Sequence, residues 1–283
     1  MKLLDRIDEA QEDRPWLAFP VAVVKKFTDD SSGNLAVLIT YYTFFSIFPL
    51  LLALASILGF VLHGHPSWQA KVEQSALSNF PLIGKAPLPK SGSIAAIVIG
   101  TLLALYSGLG VAKAAQTAWN TIYCVPESGR PGFLSNNLRA LRLVVVGGLG
   151  MIVTTIVAGT VTSGTAVGIP VGWGLTVLGI VVAFLLNTLL FTVVFRWLTV
   201  RDVTVRETLP GAAVAAAGLA ILQAVASAFI SHKLKSARAT YGSFGTVIVL
   251  LSWFYLQSQV VLLAGQVNVV RQDKLWPRSL RSG

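Results

Sequence analysis

Between Ser243 and Val270 the chain runs for 28 residues, SFGTVIVLLSWFYLQSQVVLLAGQVNVV, without one charged side chain. At ~1.5 Å rise per residue, a helix of that length crosses the ~30 Å hydrocarbon core of a bilayer with some tilt. The stretch is not uniformly apolar. Ser252, Tyr255, Gln259 and Gln266 are spaced three, four and seven apart and share one helix face, while Gln257 and Asn268 lie off it. Amides inside a bilayer are unfavourable unless they meet a partner or line a wet cavity. The expectation is a membrane-embedded chain whose packed interior is polar but uncharged. Gln266, near one end of the stretch, is expected to be wet.

Five earlier runs have the same character: Leu35–Leu62, Ile94–Ala112, Leu143–Val161, Val171–Phe195 and Leu209–Ser231. Only 12% of the residues are charged, against about 25% in soluble domains. The fold class read from this pattern is all-α, a polytopic membrane protein with six transmembrane helices. Pro49, in the middle of the first span, predicts a kink there. The helix of the second span is expected to continue through Trp119 to Tyr123. Gly211 and Ala215 form a pair of small residues four apart, suited to close helix contact.

Ahead of the first span, Trp16, Phe19, Pro20, Val23 and Phe27 form an apolar stripe at helical spacing, with Lys25 and Lys26 off it. This predicts an N-terminal amphipathic helix lying in the membrane interface. In the loop His63–Gly92, Trp68, Val72 and Phe80 suggest another short amphipathic helix. The organisation expected is residues 1–34 as cytoplasmic and interfacial N-terminal helices, 35–270 as a single six-helix membrane domain, and 271–283 as a cytoplasmic tail. The acidic flank Asp5, Asp8, Glu9, Glu12 and Asp13 is wrong for a cleaved signal peptide, so the first span is expected to act as its own insertion signal.

Of the 22 lysines and arginines, sixteen fall in the N-terminal segment, the loops after spans two and four, and the C-terminal tail; the other connections hold six. The positive-inside rule then places both termini in the cytoplasm. The net charge of +10 reads as this bias plus attraction to anionic head groups, not as a nucleic-acid patch. The partners expected are membrane lipids and no nucleic acid; the oligomeric state is not set by the sequence.

The residues offer little to an enzyme. His63, His65 and His232 all sit at span ends, and no third metal ligand follows the His63–His65 pair at a recognisable spacing. Seven of the twelve acidic residues lie in the first thirty positions, and none falls in an expected span. No phosphate-cradling glycine loop or zinc motif is present. The expectation is no catalysis, no metal and no cofactor. The candidate cavity-lining residues are Tyr41, Tyr42, Ser46, Pro49, Tyr106, Asn187, Gln223, Tyr255, Gln259 and Gln266. Singly, their ordinary role is interhelical hydrogen bonding, on the order of 1 kcal/mol each. Together they would line a cleft for an uncharged or amphiphilic substrate.

Several segments carry a resemblance. Tyr41-Tyr42-Thr43-Phe44-Phe45-Ser46-Ile47-Phe48-Pro49-Leu50 resembles the first-span signature of the YihY/BrkB family of bacterial inner-membrane proteins. Ala104 to Tyr123, closing on Asn120-x-x-Tyr123, is similar to the end of that family's second span. Leu209-Pro210-Gly211-Ala212, Tyr241-Gly242-Ser243, Trp253 and the Gly265–Asn268 end resemble its later spans. The likeness covers nearly the whole chain and implies a multi-pass protein of the bacterial inner membrane. It departs at Ala264-Gly265-Gln266, where the family commonly has a Gly-Ala-Glu-like step. A titratable role therefore does not carry over to Gln266. The resemblance associates the chain with serum resistance and with movement of lipid-like molecules; family members have also been labelled ribonuclease BN. The leading functional expectation is a non-ATPase transporter or flippase-like protein for an amphiphilic or lipid-like substrate. A structural or envelope-maintenance protein ranks second, and a ribonuclease third.

Overall fold

The computed structural model describes residues 15–61, 94–163, 173–242 and 244–278. Among these the regular structure is helical: α1 Pro15–Asp29, α2 Ser32–Val61, α3 Ile94–Ile122, a 3₁₀ turn Glu127–Gly129, α4 Phe133–Ser163, α5 Trp173–Leu198, α6 Val205–Tyr241 and α7 Phe244–Gln272. Helices α2 to α7 are each long and apolar enough to cross a membrane. Six spans were expected, and six are found. The helices are longer than the apolar runs: α3 continues to Ile122, α4 starts at Phe133 rather than Leu143, and α6 extends to Tyr241 rather than Ser231. Hydropathy marks where a helix meets lipid, whereas backbone hydrogen bonding carries it onward. Arg139, Arg142 and Glu207 thereby fall inside the helices. Residues 1–14, the histidines at 63 and 65, and the amphipathic stretch expected between 68 and 80 lie outside the described residues.

The helix ends follow local chemistry. Thr204 and Glu207 form a capping box at the start of α6, with the Thr204 backbone N–H donating to Glu207 Oε2 at 2.7 Å. Helices α3 and α7 close alike. Val125 N–H reaches Asn120 O at 2.8 Å and Leu275 N–H reaches Val270 O at 3.0 Å, with Cys124 and Lys274 in the left-handed conformation between. Gly242, at φ +60°, makes the turn between α6 and α7 that a side chain would strain.

Residue contacts divide the chain into two units. The first comprises Met1–Ile39, Ala112–Phe229 and Tyr255–Gly283; the second comprises Thr40–Val111 and Ile230–Phe254. In the first unit, α1 is the helix expected ahead of the first span, and Phe19 and Val23 of its expected stripe pack inward. Its buried face is Ala18, Ala22, Val23 and Lys26. Ala22 and Val23 pack with Val270, and Phe19, Leu263, Val267, Leu275 and Trp276 pack around them. Phe19 meets the Trp276 ring edge-on, centroids 5.4 Å apart. The inward face is thus rotated from the stripe read in the sequence: Pro20 is exposed and Lys26 is buried. Small residues at 18 and 22 allow close approach, and Lys26 finds an acidic partner; hydropathy scores neither.

The outward faces are apolar. Leu102 and Tyr106 on α3, Leu149 and Met151 on α4, and Leu185 and Leu189 on α5 are all exposed. Side chains of this kind over whole helix faces suit lipid rather than water.

Candidate functional site

In the first unit, buried amides and their partners cluster around the C-terminal third of α7. Asn268 is fully buried. Its Oδ1 accepts the Gly211 backbone N–H at 2.7 Å, and its Nδ2 donates to Thr208 O at 3.2 Å. One amide thereby clamps the first turns of α6. The approach needs Gly211, because a Cβ there would lie 2.2 Å from Ala264 O and 2.5 Å from Asn268 Oδ1.

Gln266 is also fully buried, not wet as expected. Its Nε2 donates to Asp30 Oδ2 at 2.8 Å and to Ser32 Oγ at 3.0 Å. Asp30 in turn accepts from Lys26 Nζ at 2.5 Å. The uncharged interior read from the sequence is therefore corrected: where Gln266 lies, an ion pair contributed by the α1–α2 junction joins the amide. The charges escaped a span-by-span reading because they precede the first span. Ser31, in the left-handed conformation, makes the bend that brings them there.

A third amide, Asn120 at the end of α3, accepts the Val200 backbone N–H at 3.0 Å and the Thr199 hydroxyl at 3.4 Å, holding the segment after α5. Beyond it, Arg201 makes a two-pronged ion pair with Asp273, at 2.7 and 3.0 Å. That pairing holds the Arg201 pKa above its ordinary value. Outside the spans, the Lys25 ammonium bonded to Asp29 holds that carboxyl below its usual range, and Arg278 adds to the effect.

Along the same end of α3, the buried atoms Gln116 Oε1 and Nε2, Trp119 Nε1 and Tyr123 Oη have no hydrogen-bond partner, and neither has Gln266 Oε1. Gln116, Trp119 and Tyr123 are spaced three and four apart, so they share a helix face. Trp119 stacks obliquely on Phe195 at 4.8 Å, and its indole lies 3.3 Å from where a Cβ on Gly265 would stand. Burial pushes the Tyr123 phenol up to about 12, with Arg201 opposing. Its hydroxyl lies beside the Asn268 amide without a well-formed hydrogen bond.

Of the residues singled out in the sequence, Asn187, Gln223, Tyr255, Gln259 and Gln266 belong to the first unit. Asn187 bonds back to Ala183 O of its own helix at 2.8 Å. Gln223 is exposed, and Gln259 is half-buried. The Tyr255 hydroxyl lies 3.7 Å from where a Cβ on Gly33 would stand. Tyr41, Tyr42, Ser46, Pro49 and Tyr106 belong to the second unit. Tyr41 stacks edge-on against Tyr42 and obliquely against Phe45, starting an aromatic ladder that continues through Phe44 and Phe48. Ser46 bonds to Thr43 O, α2 is continuous through Pro49, and Tyr106 is 77% exposed. Gln116 and the Lys26–Asp30 pair were not singled out, and Asn120 and Asn268 entered only through the family resemblance and as an amide off the main face. Asn268 lies off the face that Gln259 and Gln266 define, and its sequence signals are being one of four amides in an apolar run and closing the Gly265–Asn268 segment of the resemblance.

Six apolar helices with lipid-suited outer faces, tied by buried amides, define a multi-pass helical membrane protein. The chain belongs to the family described as virulence factor BrkB, whose model matches residues 23–281. It is similar to a UPF0761 membrane protein of Acinetobacter baylyi, 25% identical over 90% of this chain and 62% of that protein. It is also similar to the inner membrane protein YhjD of Escherichia coli, 22% identical over 95% of this chain and 86% of that one. The ribonuclease-like protein YfkH of Bacillus subtilis is 36% identical over a quarter of each chain. The chain spans about three fifths of the Acinetobacter relative's length. No solved structure matches it.

Proposed function

We propose that this protein moves an amphiphilic, lipid-like molecule across the bacterial inner membrane without hydrolysing ATP. One observation carries the reading: the row of unpartnered buried polar atoms on α3, from Gln116 through Trp119 to Tyr123. A polar group held away from water without a partner costs about 1–3 kcal/mol. In a membrane bundle such groups persist where they meet a polar occupant or line a wet path. A head group passing along this face would supply the missing partners. The test is reconstitution of the full chain into vesicles carrying a head-group-labelled lipid, with the label quenched from outside. Protein-containing vesicles should expose inner-leaflet label faster than empty ones. Gln116→Leu should slow this several-fold at an unchanged melting temperature. Equal rates with folded protein and empty vesicles would sink the proposal.

A second reading, a structural envelope protein, draws on Asn268, Asn120 and Gln266, whose amides tie helices together. Under it, Gln116→Leu changes stability and nothing else. The ribonuclease reading draws on the labels of relatives, one of them matched over a quarter of this chain.

For orientation, the reading is that both termini are cytoplasmic. In a Cys124→Ser background, Lys85→Cys should react with an impermeant thiol reagent from outside intact cells. Arg130→Cys should react only after permeabilisation. The reverse pattern inverts the topology.

A further inference from the structure

Where α4 begins and α5 ends, the first unit holds a cavity of about 200 Å³ lined by Arg139, Arg142, Arg196 and Arg201, with Trp197 and Asp202. Four arginines and a single acidic residue thus line it. Arg201 is neutralised by Asp273. Among the described residues, no carboxylate pairs with Arg139, Arg142 or Arg196. Arg196 is fixed by its Nε donating to Val203 O at 3.0 Å. The Arg142 guanidinium lies 4.1 Å from the Trp197 ring centroid. A cation over an indole face is held in place while its N–H edges stay available. The positive-inside bias accounts for arginines at span ends. It does not account for three of them converging from two helices on one concavity, two already immobilised and none matched by an acid.

We propose that this cavity binds a phosphate-bearing anion. A guanidinium fork matches two phosphate oxygens at once, and each charge-assisted bond outweighs a neutral one. The pocket joins the first turns of one span to the last turn of another, the level at which a phospholipid head group lies. The same chemistry would accept inorganic phosphate or a soluble phosphate ester. The cavity adjoins the α3 row through Arg201, 5.9 Å from the Tyr123 ring centroid, but its argument stands whether or not the chain transports lipid.

The test uses the purified full chain in an uncharged detergent. Melting temperature is followed during titration with phosphatidylglycerol, phosphatidylcholine or inorganic phosphate at matched ionic strength. A ligand that binds the folded state raises the melting temperature by mass action. Phosphatidylglycerol alone raising it saturably identifies a lipid head group. Inorganic phosphate raising it as well identifies a site that reads phosphate itself. In either case Arg139→Gln should weaken binding by about tenfold. Arg142→Lys should weaken it less than Arg142→Gln, because charge is kept while the fork is lost. Arg206→Gln, the same charge change outside the pocket, should leave the titration unchanged. If Arg139→Gln retains full affinity at a normal melting temperature, or if Arg206→Gln loses as much, the proposal is overturned. So too if phosphatidylcholine binds as well as phosphatidylglycerol, or if no ligand shifts the melting temperature. Should Arg139→Gln fail to fold, the Arg142→Lys and Arg142→Gln pair carries the same decision.

Discussion

The two units use the same helices in different ways. In the first, amides reach between elements: Asn268 to the start of α6, Gln266 to the α1–α2 junction, Asn120 to the segment after α5. In the second, Ser46, Ser107 and Ser252 each bond back to a carbonyl of their own helix. Close approach is also seen there among the described residues: Ala53 backbone atoms lie 3.1 Å from where a Cβ on Gly100 would stand, and the Tyr42 ring lies over Gly110. The contrast teaches that in an apolar solvent these are alternative ways to join helices. Directional bonds fix one arrangement, whereas shape contacts with half-exposed rings can adjust.

The largest effect that would break this comparison is expected at Gly211. In Gly211→Ala the new methyl meets a backbone carbonyl and a bonded amide, neither of which can swing aside. Overpacking of this kind costs about 1–3 kcal/mol, and the upper end is expected, read as a lower melting temperature in detergent. If Gly211→Ala melts with the wild type, the first unit is not a fixed clamp.

A comparable effect should appear at alkaline pH. Burial pushes Tyr123 up to about 12, whereas a phenol in the unfolded chain titrates near about 10. Between those values the folded state holds a proton that the unfolded state has released. Stability is therefore fully present below about pH 10 and is lost as pH rises towards about 12, by about 2–3 kcal/mol in all. Tyr123→Phe should remove this slope, measured as the difference between the two unfolding curves across that window. An identical slope in both proteins would show that the phenol is not sealed within the clamp.

The smallest effect belongs to the second unit. A Cβ at Gly110 would lie 2.6 Å from Tyr42 Cδ1, but the Tyr42 side chain is 39% exposed and can pivot away. Gly110→Ala should cost about 1 kcal/mol or less. A loss as large as that of Gly211→Ala would erase the distinction between the units.

The sequence by itself determined the architecture. Six long apolar runs have few ways to satisfy their backbone hydrogen bonds in a bilayer, and the helix is the one their length permits. It also marked Gly211 and Ala215 as a contact face, since small size is a local property, whereas Gln266, expected to be wet, is buried. Tertiary structure alone decided the partners. Nothing local to Lys26 or Asp30 says that their ion pair reaches Gln266 some 236 positions along the chain. Nothing local to Asn268 names Gly211, nor to Arg139 that it converges with Arg196 on one cavity. Hydrophobic periodicity fixes which side of a helix turns inward only when that side is the more apolar. Around α1 and the end of α7 an apolar cluster about Val270 shares the interior with Lys26, Gln266 and Asn268; those polar groups turn inward through hydrogen bonds, whose energy depends on the position of a second group that hydropathy does not contain.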